Sequence, residues 1–291
     1  MPRFELALGL TSALLLLSCS TAETGPQSPP DGQTSVFLTD APFPFDQVAR
    51  VDVYIESIAL AVSADTSESG PPWVTVATPN RTFNLLDLQN GATALLGGAV
   101  VPEGQYRAAR VIIDPDRSSI TDNDGHVFAS TTIPGTPGIN WQAKGEDPSL
   151  FALVEEPMAV DQNGADIVID FDVGRSFLYD GNGGFTFIPW LRAITRSGSG
   201  NIAGVVRRAD GGTPIPNAAV NIRVALDSGA TPGPVVATSR AGADGHFTAS
   251  FLRPGRYQVQ AEDLASQAAS EVKQAEVRAG RTVDLGALEI Q

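Results

Sequence analysis

The sequence predicts an all-β protein, two β-sandwich domains in tandem behind a signal peptide and a flexible tether. Three observations carry that prediction. Gly 29 and Pro 21 are high for 291 residues, and clusters of Gly, Pro, Asn and Asp interrupt the chain about every eight to twelve residues, the spacing of short strands and turns. No stretch holds a sustained apolar stripe at helical period; a short helix fits only around residues 92–96 or 149–154. One phrase also occurs twice, Pro102-Glu103-Gly104-Gln105-Tyr106 and Arg253-Pro254-Gly255-Arg256-Tyr257, each a turn opening into an aromatic and β-branched run. Each copy has a companion, Asp124-Gly125-His126 and Asp244-Gly245-His246, so the two units share their hairpin chemistry.

Residues 1–18 read as a signal peptide. The apolar run Leu6–Leu17 has the length of a signal-peptide core and is too short for a bilayer span of about 20 residues. Leu16-Leu17-Ser18-Cys19 resembles the bacterial lipobox, in which the cysteine becomes lipidated; Cys19 is the single cysteine of the chain, so it has no internal disulfide partner. Multiple acyl chains on Cys19 would anchor the protein to a membrane where one would not. Ser20 at the next position implies outer-membrane sorting. Residues 19–33 contain almost nothing that can be buried and read as a tether.

A first domain of unknown function is expected over residues 34–196. Val51, Val53 and Ile55 place apolar residues on odd numbers, whereas Ile58, Leu60 and Val62 place them on even ones. A change of parity inside one strand needs an extra residue, which predicts a β-bulge near Glu56-Ser57. Tyr106–Ile113 is a strand leading to a hairpin closed by Asn123-Asp124-Gly125. Ile167, Ile169, Phe171 and Val173 alternate onto a buried face. Ser197-Gly198-Ser199-Gly200 is the linker, and residues 201–291 form a second sandwich of roughly seven strands. There Val220, Ile222, Val224 and Leu226 share a face, as do Phe247, Ala249 and Phe251.

Charge excludes some functions. The net charge is −14, and residues 21–198 hold 23 acidic against 9 basic residues while residues 199–291 hold 9 of each. Without clustered Lys and Arg the chain has no phosphate-binding surface, so nucleic acid is not an expected partner. The two histidines follow Asp-Gly turns in different domains, which leaves no base for a Ser or Cys nucleophile, and no paired His/Cys set for zinc. Glu155-Glu156 with Asp161 has the makings of an acid/base pair of glycosidase type, but any acidic domain offers such pairs.

Asp170 and Asp172, with Asp166 further along, fall on one strand face. Carboxylates about 7 Å apart serve either a Ca²⁺ ion aided by loop oxygens or ion pairs to Arg175, Arg192 or Arg110. Trp73, Trp141 and Trp190 are the rings available as a sugar platform. Trp73 and Trp190 sit inside strand patterns, while Trp141 follows a Pro/Gly loop and is the candidate exposed, ligand-binding ring.

Two family resemblances follow from these residues. Gly204-Val205-Val206, Gly212-Thr213-Pro214-Ile215-Pro216-Asn217-Ala218-Ala219-Val220, Asp244-Gly245-His246-Phe247 and Pro254-Gly255-Arg256-Tyr257 occur in the order of the carboxypeptidase regulatory-like (transthyretin-like) domain. That resemblance implies a non-catalytic sandwich related in fold to starch-binding modules. Leu38-Thr39-Asp40-Ala41-Pro42, Asn84–Gly91, Gly104-Gln105-Tyr106 with Arg110, and Asp170-Phe171-Asp172 with Ser176 resemble a bacterial lipoprotein domain of unknown function, which implies no activity. The expectation is a lipid-anchored protein outside the cytoplasm, at the outer membrane or cell surface. Its role is non-catalytic binding or scaffolding, without cofactor, toward a surface protein or a glycan. A carbohydrate-binding module is the alternative, and an enzyme with a cryptic carboxylate site the third class.

Overall fold

A computed structural model of the chain describes residues 31–40, 48–65, 72–131, 137–141, 149–181, 183–226 and 232–291. The signal peptide, Cys19, the tether up to residue 30 and Ala41-Pro42 lie outside the described residues. What is described is all-β. In chain order the first unit holds β1 (Asp31–Thr39), β2 (Val48–Ala61), β3 (Val74–Ala77), β4 (Arg81–Asn84), β5 (Ala94–Pro102), β6 (Gly104–Tyr106), β7 (Ala108–Asp122) and β8 (Val127–Thr131). It continues through β9 (Ile139–Trp141), β10 (Ser149–Ala152), β11 (Met158–Val160), β12 (Ala165–Phe171), β13 (Phe177–Tyr179), β14 (Phe185–Phe187) and β15 (Leu191–Thr195). The second unit holds β16 (Gly200–Arg208), β17 (Ala219–Ala225), β18 (Pro232–Arg240), β19 (His246–Leu252), β20 (Gly255–Asp263), β21 (Ala268–Ala269), β22 (Lys273–Val277) and β23 (Thr282–Ile290).

Helix is confined, among the described residues, to one turn, α1 (Val173–Ser176), and a 3-10 turn over Leu85–Leu88. The two places where a short helix fitted are strands instead, β5 and β10, because each is captured by a long neighbour: β5 by β1 and β10 by β7. Tertiary pairing decides such short segments.

In the first unit a four-stranded sheet, ordered β15-β12-β1-β5, packs on a larger sheet centred on β7 and β2. Val36 and Leu38 from one sheet and Val51, Ile55, Ile58, Val111 and Ile113 from the other fill a single core. The predicted bulge is present: the β2–β7 register shifts between Ile55 and Ser57. That shift is what lets Val53 and Ile55, then Ile58 and Leu60, all reach the same interior. The second unit is a sandwich of a three-stranded sheet (β19-β16-β23) and a five-stranded sheet built on β18-β17-β20, with a separate core of Ile202, Val206, Val220, Ile222, Val259 and Leu288.

The repeated phrases fold alike. Tyr106 donates its hydroxyl to the carbonyl of Pro102 at 2.8 Å, and Tyr257 donates to the carbonyl of Arg253 at 2.8 Å, each four residues back. Gly125 and Gly245 both adopt positive φ, at 85° and 77°, and close equivalent turns onto Asp122 and Gly242. Only glycine enters that region without steric cost, which fixes the Asp-Gly-His phrase at both sites.

Two boundaries differ from the expectation. β1 begins at Asp31, paired with Pro102, so the last tether residues join the sheet. The 197–200 segment is a packed turn: Gly198 and Ser199 donate to Thr195 and Arg196, and Gly200 already opens β16. A Cβ at Gly200 would meet the Arg278 carbonyl at 2.4 Å, so glycine here serves close approach rather than flexibility.

Candidate functional site

Three of the four phrases that carry the first domain's resemblance, Thr39-Asp40, Asn84–Gly91 and Asp170–Asp172 with Ser176, meet at one end of its four-stranded sheet, while Gly104–Tyr106 lies on β6 and Arg110 on β7. Thr39, at the end of β1, donates its hydroxyl to the carbonyls of Leu88 and Ala92. Asp40 follows it, fully enclosed, and accepts the Val173 N–H at 3.0 Å and the Gln89 amide at 3.5 Å. Burial holds the Asp40 carboxyl well above the usual range; the Val173 N–H opposes this, and the charges of Asp170 and Asp172 add to it.

Asp170 and Asp172 do not converge as a calcium site. Asp170 sits on β12 opposite Arg192 of β15 and accepts from Arg192 Nε at 2.6 Å. Asp172 lies past the end of β12 and caps α1, accepting the Arg175 N–H at 3.0 Å, with Arg175 Nε 3.3 Å from its other oxygen. The strand ends at Phe171, so the period-two argument for a shared face fails one residue before it is needed. Burial, with the neighbouring Asp170 charge, pushes the Asp172 carboxyl up to about 6 against the pull of Arg175. Asp166 pairs with Arg196 at 3.7 Å, and Arg110 takes no part.

Among the described residues, the group that brings three possible ligand atoms within 4.8 Å is elsewhere: Asp122, Asp124 and His126 at the β7–β8 hairpin. The hairpin's own bonds account for it. Asp122 accepts the N–H groups of Asp124 and His126, and its second oxygen meets His126 Nδ1 at 2.9 Å.

The same end of the first domain receives the second. Asn90 and Gly91 form a turn with φ of 56° and 84°; Asn90 Oδ1 accepts from Ser239 Oγ at 3.0 Å and Arg240 N at 3.4 Å. Arg175 donates to the Val235 carbonyl. Arg253 reaches back to Glu155 and Glu156 at 2.9 and 2.7 Å, so this acidic pair is clamped by one guanidinium, while Asp161 Oδ1 accepts the Asn163 N–H in its own turn.

Phe251 departs from its predicted face. A register shift in the β16–β19 pairing and a φ of 56° at Phe251 rotate its ring out of the second core, to lie 5.6 Å from the Arg196 guanidinium, which also covers Phe37 at 4.3 Å. Positive φ for a bulky residue is rare and strained, and here it serves the junction between domains.

The tryptophans exchange roles. Trp141, the expected exposed ring, is 3% exposed; β9 lies between β8 and β14, and the indole packs against Phe187 at 4.5 Å and Phe177 at 5.7 Å. Its Nε1 finds no acceptor among the described residues. Trp190 is 47% exposed. The signal was Pro189: without an N–H it ends the run after β14, leaving Ile188-Pro189-Trp190 as an exposed connection. Trp190 borders a groove of about 530 Å³ with Phe151, Leu153, Pro189 and Arg107. Phe151 in turn lies 5.8 Å from the Trp73 ring.

The molecule is thus an all-β, two-unit protein of sandwich type whose ionisable interior is spent on a domain junction. Residues 31–189, more than half of the chain, match the family described as domain of unknown function (DUF4382), and the chain belongs to that family. Residues 201–289 match the carboxypeptidase regulatory-like domain. No curated protein matches the chain.

Among solved structures, similarity is found to the Bacillus anthracis TIE protein (11% identity, TM-score 0.27, 89% of this chain and 34% of that one). It is also found to GBS52, the minor pilin of Streptococcus agalactiae (11% identity, TM-score 0.25, 89% and 96%), and to shaft pilin SpaA of Lactobacillus rhamnosus GG (9% identity, TM-score 0.23, 89% and 98%). The chain spans about a third of the TIE protein's length. Scores this low transfer nothing to this chain. No helix among the described residues is long and apolar enough to cross a membrane.

Proposed function

We propose that the protein is a lipid-anchored module held outside the cytoplasm through Cys19, with a non-catalytic binding and scaffolding role at the cell surface. The observation that carries the non-catalytic part is the fate of the first domain's enclosed ionisable groups. Asp170 faces Arg192, Asp172 caps α1, and Asp40 accepts from backbone and amide. An acid, base or nucleophile needs a free lone pair or proton beside a substrate-sized space. These groups spend theirs on the fold. A binding role draws support from the half-exposed Trp190 and the groove beside it.

Carbohydrate binding is the second reading, and the exposed Trp190 ring is the observation that favours it. Against it, among the described residues the groove offers a polyol few polar groups, the Arg107 guanidinium and the Trp190 indole N–H.

The anchor is tested by labelling cells that express the protein with radioactive palmitate and treating intact cells with protease. The expected result is a labelled, membrane-fractionating chain, with label and membrane association both lost in Cys19→Ala. An unlabelled wild-type chain in the soluble fraction would end the proposal.

A further inference from the structure

The groove beside Trp190 has a chemistry of its own. Phe151 and Leu153 point outward, two residues apart, and are 43% and 55% exposed; Pro189 and Trp190 form the opposing wall. Monomeric proteins scatter exposed apolar side chains singly, so several gathered in one concave place mark a binding surface. The i, i+2 spacing of Phe151 and Leu153 matches the side-chain repeat of an extended chain laid alongside.

The polar component is positive. Arg107 lines the groove, and Arg110 stands opposite Phe151 in the β7–β10 register with its guanidinium 4.8 Å over Trp73. Neither makes an ion pair among the described residues, and Arg110 Nε has no hydrogen-bond partner there. Arg50, Arg175, Arg192 and Arg196 of the same domain each pair with an aspartate. Two guanidinium groups with no carboxylate partner among the described residues, on a domain with a large acidic excess, form a local complement to an anionic group. A bilayer surface does not fit, because the surrounding acidic domain repels anionic headgroups and the apolar surface is concave.

We infer that this groove binds an extended segment of a partner protein that combines large apolar side chains with a carboxylate. Trp190, Phe151 and Leu153 take the apolar side chains, and Arg107, supported by Arg110, takes the carboxylate. This rests on the binding role proposed above and names its partner's chemistry.

The family match begins at residue 31 and β1 opens at Asp31, so the chain from Asp31 onward serves as the soluble protein for the test. Random peptides displayed on phage are selected on it, and the enriched peptides are synthesised and titrated by calorimetry. Expected are peptides pairing aromatic or aliphatic residues with Asp or Glu, whose binding falls about thirtyfold in Trp190→Ala. A further loss of about fivefold or more is expected in Arg107→Glu, with most of it recovered in Arg107→Lys, and binding should weaken with salt. Circular dichroism melts check that the variants remain folded, as expected for exposed positions.

A basic consensus, binding indifferent to Trp190→Ala, or no enrichment would overturn the inference. So would Trp190-dependent binding of neutral oligosaccharides on a glycan array, or of phosphatidylcholine/phosphatidylglycerol vesicles, in place of peptides. Loss of palmitate labelling would strike the anchor and leave peptide binding untouched, so the two proposals fail separately.

Discussion

Arg192 and Asp170 face each other across β15 and β12 at 2.6 Å, in register and both largely enclosed, and this pair sits beneath the junction where the two domains meet. Removing one member of a buried pair strands the other's charge, at a cost of about 3–5 kcal/mol, whereas replacing both with neutral groups of similar size is often close to neutral. Arg192→Met is therefore expected to lower unfolding stability by that order, and Arg192→Met with Asp170→Asn to recover most of it. Urea denaturation of the three proteins tests this; a double variant as unstable as the single would refute it.

The pH dependence of stability follows from Asp172. Its carboxyl is pushed up to about 6 in the fold, from an ordinary 3.8, so the folded state binds the proton more tightly than the unfolded one. Ionised Asp172 therefore opposes folding, and its contribution improves as pH falls from above 6 toward 4. The gain is on the order of 2–3 kcal/mol at most, at about 1.4 kcal/mol per pH unit. Asp40, shifted in the same direction by burial, adds to it. Thermal melts between pH 7.5 and 5 should show rising stability, and Asp172→Asn, which keeps a capping oxygen, should flatten the slope. A steeper slope in the variant would contradict the assignment.

Gly91 and Gly125 separate backbone strain from domain docking. Both have φ near 85°, but a Cβ on Gly91 would meet Ser250 Oγ of the second domain at 2.4 Å, while one on Gly125 would meet nothing within 4 Å. Gly125→Ala should cost about 1 kcal/mol of strain. Gly91→Ala should cost more, and it should separate the unfolding of the two domains into resolvable calorimetric transitions. Equal costs for the two substitutions would mean the junction is not tight there.

Trp141 and Trp190 should respond in opposite ways. Trp141→Ala leaves a cavity beside Phe177 and Phe187 and should cost about 3–5 kcal/mol. Trp141→Phe keeps most of the volume and removes an N–H that finds no acceptor among the described residues, so it should cost much less. Trp190→Ala should change stability by less than about 1 kcal/mol. Acrylamide quenching gives an independent check: Trp190→Phe should remove the most quenchable part of the emission and Trp141→Phe the protected, blue-shifted part, with partly exposed Trp73 between them.

Local chemistry was legible in the sequence. The parity change in β2 demanded a bulge because the side chains of a regular strand alternate, and the repeated Gly-x-Tyr and Asp-Gly-His phrases folded alike because positive φ and a tyrosine's reach are local properties. Alternation, turn spacing and the absence of a helical stripe settled the all-β class for the same reason. What decided the site was long-range. Whether Trp141 or Trp190 faces water depends on which strands flank β9 and on where Pro189 interrupts the sheet. Which guanidinium neutralises Asp170 depends on the pairing of β12 with β15, some twenty residues apart. The parity rule also failed at Phe251, where a register shift turned the ring toward the other domain. The sequence alone determined the strands, turns and two-part plan, because those follow from steric preferences of neighbouring residues. Only the tertiary structure decided what is buried, paired or exposed, because those depend on residues brought together from distant parts of the chain.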